Sequence, residues 1–408
     1  MNTPLSRRQL LAGAATLALG PRAFAQATPG AQGEGRLVVV FLRGAVDGLS
    51  LFVPYADPDY ARLRSSIALP APDGTDQAAL KLDDTFALHP ALADVLPLWQ
   101  QRRLAVIPAA GSPDPTRSHF DAQYHWETAR LGRGGDTPGW LNRLASVGAD
   151  AAAVHALGVG ESNPRILEGR APVKLVARGR AAQRPGALQN PQAREALMAL
   201  YDGQDSLSKA FRQGADSRLR TAQDLTREMQ AADNGAAAPA LLVQDARNLG
   251  TLMRQERALR IGFLSAGGWD THANQGAVTG QLANNLRSLG GALAQLARDF
   301  DRPGDVIVMA SEFGRTAAEN GSRGTDHGHG NAMWLIGPRV AGGRWHGQWT
   351  GLAQANLHEQ RDVPVHHDFR AVLAQVLRPS FALRDSQLAD VLPDTRWDAR
   401  LDSVLHQV

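Results

Sequence analysis

The 408-residue sequence contains no cysteine, which excludes disulfides and any thiolate metal or redox centre. Lysine is almost absent: Lys81, Lys174 and Lys209 are the only three among 43 basic residues. Neither sign of charge prevails. Residues 1–25 hold Arg7, Arg8 and Arg22 and no acid, and the remainder carries forty basic and forty acidic groups. A body without net charge lacks the positive field that nucleic-acid binding draws on, so no nucleic-acid partner is expected. Long hydrophobic runs are missing too. The apolar stretch over residues 10–19 falls short of the roughly 20 residues a spanning helix needs, and no transmembrane segment is expected in the mature chain. What remains, 43% apolar residues with 23 prolines spread along the chain, is the composition of a globular protein.

The N-terminus has the form of an address. Ser6-Arg7-Arg8-Gln9-Leu10-Leu11 precedes a weakly hydrophobic Ala/Gly-rich segment, and Ala23-Phe24-Ala25 supplies a cleavage motif before Gln26. Paired arginines in that setting predict a twin-arginine signal over residues 1–25, the twin-arginine translocase as a partner during export, and a periplasmic mature protein. That route carries folded proteins, often with a cofactor already inserted, and so favours a bound metal.

Residues 26–408 are expected to form one α/β domain. Continuous apolar runs at 37–42, 104–108, 261–265, 305–310 and 333–336 predict buried strands, with weaker candidates at 154–159 and 173–176. Helical spacing marks 91–103, 118–130 and 368–377, and a long helix follows Val278, where apolar residues step by four and three up to Phe300. The alternation predicts a three-layer sandwich around a mostly parallel sheet, with ligands at the carboxyl ends of the strands. Residues 191–258 carry little strand pattern and are expected to form a helical insertion or cap, serving as a lid over those ends.

Polar loops follow the predicted strands. They hold Asp47, Arg117-Ser118-His119, Asp270-Thr271-His272, Glu312 to Arg315, and Asp326-His327-Gly328-His329. Carboxylates and imidazoles are the ligands for zinc, manganese or magnesium when thiolates are absent. Two Asp/His motifs, each after a strand, together with Asp47 predict a metal centre built from Asp47, Asp270, His272, Asp326 and His327, with His329 as a ligand or close neighbour. Ser118 opens a predicted helix, where N–H groups and the helix dipole favour an anion. It is a candidate nucleophile toward a phosphoryl or sulfuryl centre and equally a helix cap. Arg43, Arg117 and Arg315 are candidate clamps for an oxyanion.

Six segments in order, Leu42 to Gly48, Arg117 to Gln123, Gly268 to Gln275, Ser311 to Thr316, Gly324 to His329 and Asp368 to Arg370, resemble the bacterial family of unknown function DUF1501. The family is grouped with the alkaline phosphatase and sulfatase superfamily, and its members commonly carry twin-arginine signals. The resemblance implies an alkaline-phosphatase-like fold and one or two divalent ions (zinc, manganese, magnesium or calcium). It also implies an ester substrate, small molecule or glycan. Asp47 takes the place of the superfamily's first metal carboxylate and Ser118 that of its nucleophile. Asp270 with His272 and Asp326 with His327 would hold the ions. The first pair is spaced D-x-H where the superfamily has D-x-x-x-H. The last histidine is left open among His329, His366 and His367. A non-catalytic binding protein of the same fold is the alternative.

Overall fold

The computed structural model describes residues 35–406, apart from 133, 135–136, 148–154, 161–163, 177, 179–232, 234–235 and 237. Its centre is β1, Leu37–Leu42, whose six side chains are all fully buried. The pleat divides them. Val38, Val40 and Leu42 enter the apolar layer on one side of the sheet, and Leu37, Val39 and Phe41 the layer on the other. Each large side chain so buried contributes about 1.5–3 kcal/mol, and a strand apolar on both faces is stable only between two helical layers.

β1 pairs in parallel with β8 (Ile261–Ala266) and with β9 (Val306–Ser311). Beyond β8 lie β6 (Ala156–Val159) and β7 (Val173–Val176), also parallel. Beyond β9 lies β10 (Asn331–Ile336), antiparallel to both β9 and the next strand, β5 (Leu104–Gly111). The two-residue strands β11 (Arg344–Trp345) and β12 (His367–Asp368) add in parallel to β5. Across the described residues the sheet thus runs β11-β5-β10-β9-β1-β8-β6-β7, with one reversed strand. A second small antiparallel sheet joins β2 (Phe52–Val53), β3 (Leu80–Lys81) and β4 (Ala87–Leu88).

The helices supply the outer layers. α1 (His119–Thr128), α2 (Trp140–Ser146) and α5 (Phe369–Ser380) cover one face, through Trp126, Trp140, Leu141, Phe369 and Val372 among others. α3 (Leu242–Gln255) and α4 (Gln281–Asp299) cover the other. On α4, Leu282, Leu286, Leu289, Leu293 and Leu296 form the buried stripe that their spacing predicts. The expected α/β sandwich with a mostly parallel sheet is the fold.

The expected insertion at 191–258 lies largely outside the described residues. Its described helix, α3, packs on the sheet face through Leu242, Ala246, Leu249 and Met253, against β6, β8 and α4. No helix among the described residues is long and apolar enough to cross a membrane.

Candidate metal centre

Strands β1, β5, β8 and β9 run the same way, so the loops that leave their carboxyl ends meet at one edge of the sheet. After β8 come Asp270 and His272. After β9 come Glu312 and Arg315, and the same connection carries Asp326 and His327 before β10 starts. After β5, α1 begins with His119. Two short ladders lock the loops together. Residues 314–316 pair with 326–329 through Gly328 N to Gly314 O (2.8 Å), Gly314 N to His329 O (2.8 Å) and Thr316 N to Asp326 O (3.0 Å). Thr325 N donates to Thr271 O (3.1 Å). Gly324 is required at that crossing, because a Cβ there would stand 2.3 Å from the backbone carbon of His272. Gly44 has φ +108°, and its Cβ would meet the Asp270 nitrogen at 2.9 Å.

Three imidazoles and one carboxylate converge at this edge. His119 Nε2 lies 2.9 Å from His327 Nε2, and His272 Nε2 lies 3.0 Å from the same atom. Asp270 Oδ1 is 2.9 Å from His272 Nε2, 3.3 Å from His327 Nε2 and 3.7 Å from His119 Nε2. The opposite nitrogen of each ring is committed. His119 Nδ1 donates to Glu312 Oε1 (2.8 Å), His327 Nδ1 to Arg117 O (2.9 Å) and His272 Nδ1 to Asp326 Oδ1 (3.0 Å). Those three partners only accept, so each Nδ1 carries the ring's proton. In the neutral rings every Nε2 is then a bare lone pair, and three of them face a carboxylate oxygen. Acceptors packed so closely need a positive charge between them.

The neighbouring charges say the same. Burial raises Asp270, but its hydrogen bonds with the three histidines and the Arg315 charge hold it far below the carboxylate range. Burial likewise raises Glu312, and the His119 bond and charge bring it down to about 2. Burial lowers His119, yet the bonds and charges of Asp270 and Glu312 outweigh that and lift it to about 9. His272 is raised, by the Asp270 bond first, whereas burial leads in lowering His327. Two anionic carboxylates thus demand a cation, which protons meet when no metal is bound.

The donor set fits a divalent ion. Ligand atoms of His119, Asp270 and His327 lie within 4.8 Å of one another. Two nitrogens and an oxygen match the three-ligand pattern of metal sites that keep a position open for substrate. The half-exposed His272 is a further donor beside them. Each imidazole is backed by a carboxylate or carbonyl on its far side, the arrangement that orients metal-binding histidines and raises their basicity.

Several expected residues have other partners in the structure. Asp47 is fully buried and accepts from Arg64, Ser50 and Gln275 instead of facing the imidazoles. Asp326 backs His272 and accepts also from Asn320. The His329 ring lies 4.4 Å from that of His358, and burial together with the His358 charge lowers it to about 4. His366 meets Thr350 Oγ1, and His367 is held between Asp398 and the Gln348 nitrogen. Neither Arg43 nor Arg315 is available as a clamp. Arg315 spends its donors on Ala45, Thr325, Gly44 and Trp269 carbonyls and on Asp270. Arg43 is buried against Gln123 and Glu127. Arg117 bridges Glu359 and Asp362. Ser118 is exposed at the N-cap of α1 and accepts from Asp121 N (3.4 Å). It sits between Arg117, whose carbonyl holds His327, and His119.

The sequence pattern gave His119 and Glu312 no part in the metal site, although both lie in the loops after β5 and β9. It also passed over Asp233, which accepts from Gly268 N (2.7 Å) in the turn before Asp270.

The DUF1501 family profile, described as a protein of unknown function, matches residues 34–394. The chain belongs to this family. No curated protein matches the DUF1501 chain. Among solved structures it is similar to the lipoteichoic acid synthase LtaP from Listeria monocytogenes, at 8% identity and TM-score 0.41, covering 92% of this chain and 77% of that one. It is also similar to Ps i-CgsB in complex with k-i-k-neocarrahexaose, at 11% identity and TM-score 0.42, covering 87% and 73%. Phosphonoacetate hydrolase from Sinorhizobium meliloti 1021 matches at 13% identity and TM-score 0.29, covering 70% and 57%.

Proposed function

We propose that this DUF1501 protein is an exported, metal-dependent hydrolase of phosphate or sulfate esters, acting on a small-molecule or glycan ester in the periplasm. One observation carries the reading: three Nε2 lone pairs and Asp270 Oδ1 meet within a few ångströms, with every Nδ1 proton directed away. His119, Asp270 and His327 would hold the ion, with His272 beside them. A divalent ion there supplies Lewis-acid polarisation of an ester oxygen and lowers the pKa of a hydroxyl or water.

The chain's own residues do the rest. Glu312, Arg117 O and Asp326 keep the protons on Nδ1, so the Nε2 atoms stay available. Ser118 is the proposed nucleophile. Its neighbour His119 belongs to the cluster, and the N–H groups at the start of α1 favour a negative charge beside it. Because Arg43 and Arg315 are spent on protein acceptors, the positive charge for the ester's oxygens would come from the ion and the helix start.

The test compares chelator-stripped protein with protein resupplied with zinc, manganese, magnesium or calcium. One of these ions is expected to raise the melting temperature, by the equivalent of about 2.7 kcal/mol at a free concentration 100 times Kd. The same ion should restore hydrolysis of nitrophenyl phosphate or sulfate. Absence of any thermal shift rejects the metal centre. Binding without turnover across a broad ester panel rejects the hydrolase and leaves a metal-containing binding protein.

A further inference from the structure

We infer that the centre takes one divalent ion, not two, and that the Arg64 guanidinium fills the charge role of a second; this rests on the metal reading above. The resemblance to the alkaline phosphatase and sulfatase superfamily gives Asp47 the place of a metal carboxylate, and the structure pairs it with an arginine. Asp47 and Arg64 are both fully buried. Asp47 Oδ1 accepts from Arg64 Nη2 (3.0 Å), and Oδ2 accepts from Arg64 Nη1 (2.6 Å), Ser50 Oγ (2.6 Å) and Gln275 Nε2 (2.7 Å). Four donors match the roughly four lone-pair sites of a carboxylate.

Arg64 is equally spent. Besides Asp47, its N–H groups reach Ser50 Oγ (3.4 Å), Thr316 O (2.9 Å) and Ala317 O (2.9 Å), which uses all five donors. An ion on Asp47 would have to displace a bidentate guanidinium that has nowhere wet to go. It would then share the interior with that like charge.

The pair also reaches the metal-bearing loops. Gln275 donates to Asp47 and accepts from Thr271 Oγ1 (2.7 Å) and Thr325 Oγ1 (3.0 Å). Thr271 lies between Asp270 and His272, and Thr325 precedes Asp326. Asp47 is thus a positioning residue. Through one amide it ties the loop after β8 to the loop before β10, and it touches no ion itself.

Elemental analysis of full-length mature protein, purified without chelators, should give one divalent ion per chain. Titration of stripped protein with cobalt(II) should end at one equivalent by calorimetry. Two equivalents would overturn the inference while sparing the hydrolase reading. No binding of any divalent ion would overturn that reading and the count with it. Asp47→Asn should still bind one equivalent, with affinity lowered less than tenfold. Asp270→Asn should lose more than a hundredfold. Loss of the single ion from a folded Asp47→Asn variant, judged by circular dichroism, would show Asp47 to be a ligand. If that variant does not fold, the wild-type end point decides.

Discussion

At the scale of single residues, the behaviour of His119 depends on Glu312. The buried carboxylate accepts from His119 Nδ1, Gln123 Nε2 and the Gly44 nitrogen through one oxygen, and from Ser311 through the other. Glu312→Gln keeps the shape and removes the charge, and is expected to weaken metal affinity about 10–100-fold, the usual cost of losing such a partner. The pH dependence follows with a definite sign. In the ion-free protein His119 is raised above its ordinary 6.5 to about 9. Its protonation therefore stabilises the fold in full below pH 6.5, and this contribution fades as pH rises through 9. Metal binding runs the other way, because Nε2 must shed its proton to bind. Apparent affinity should climb with pH between 7 and 9, by about one log unit per pH unit for one displaced proton. Calorimetry in buffers of differing ionisation enthalpy measures that proton. A flat profile in the wild type would remove His119 from the ligand set.

At the scale of elements, the N-terminus of α1 bears two roles that a designed series separates. Ser118 accepts from Asp121 N as N-cap, so Ser118→Ala should cost about 1 kcal/mol of stability whatever the chemistry. Ser118→Asn restores a cap and cannot act as a nucleophile. If Ser118 attacks the ester, Ser118→Asn melts like wild type, binds the ion and fails to turn over. Turnover by Ser118→Asn at the wild-type rate would reduce Ser118 to a cap.

The same elements show what the chain made legible. β1, β8 and β9 were readable because strands apolar on both faces stand out as unbroken runs, and α4 because its leucines repeat along one stripe. The reversal of β10 and the two-residue strands β2, β3, β4, β11 and β12 were not, since direction and so short a pairing leave no periodicity. The site divided in the same way. Asp270, His272 and His327 follow strands in motifs rich in glycine, and they do converge. Asp47 shares that setting, yet Arg64, 17 residues further on and in no motif, neutralises it. Sequence spacing locates a carboxylate but does not say which cation it meets.

For the whole molecule, the decisive fact is that the cluster of donors forms only in the folded chain. His119, Asp270, Glu312 and His327 come from loops after three different strands, and the closest contacts among them span up to 208 positions, from His119 to His327. An unfolded chain has no such donor set, so on the proposed metal reading affinity for the ion is gained with the fold. A protein threaded unfolded through a membrane would have to find its metal outside, whereas one exported folded can be loaded first. Arg7 and Arg8, in the segment ahead of the described residues, fit the second route. Replacing both, Arg7→Lys with Arg8→Lys, should leave full-length precursor in the cytoplasm, folded and already carrying its ion. Cell fractionation with immunoblotting reads the location and the uncleaved size, and elemental analysis of the trapped precursor reads the loading. Mature protein at normal levels in the periplasm of the double variant would end the twin-arginine reading. A trapped precursor that is folded but metal-free would place loading after export.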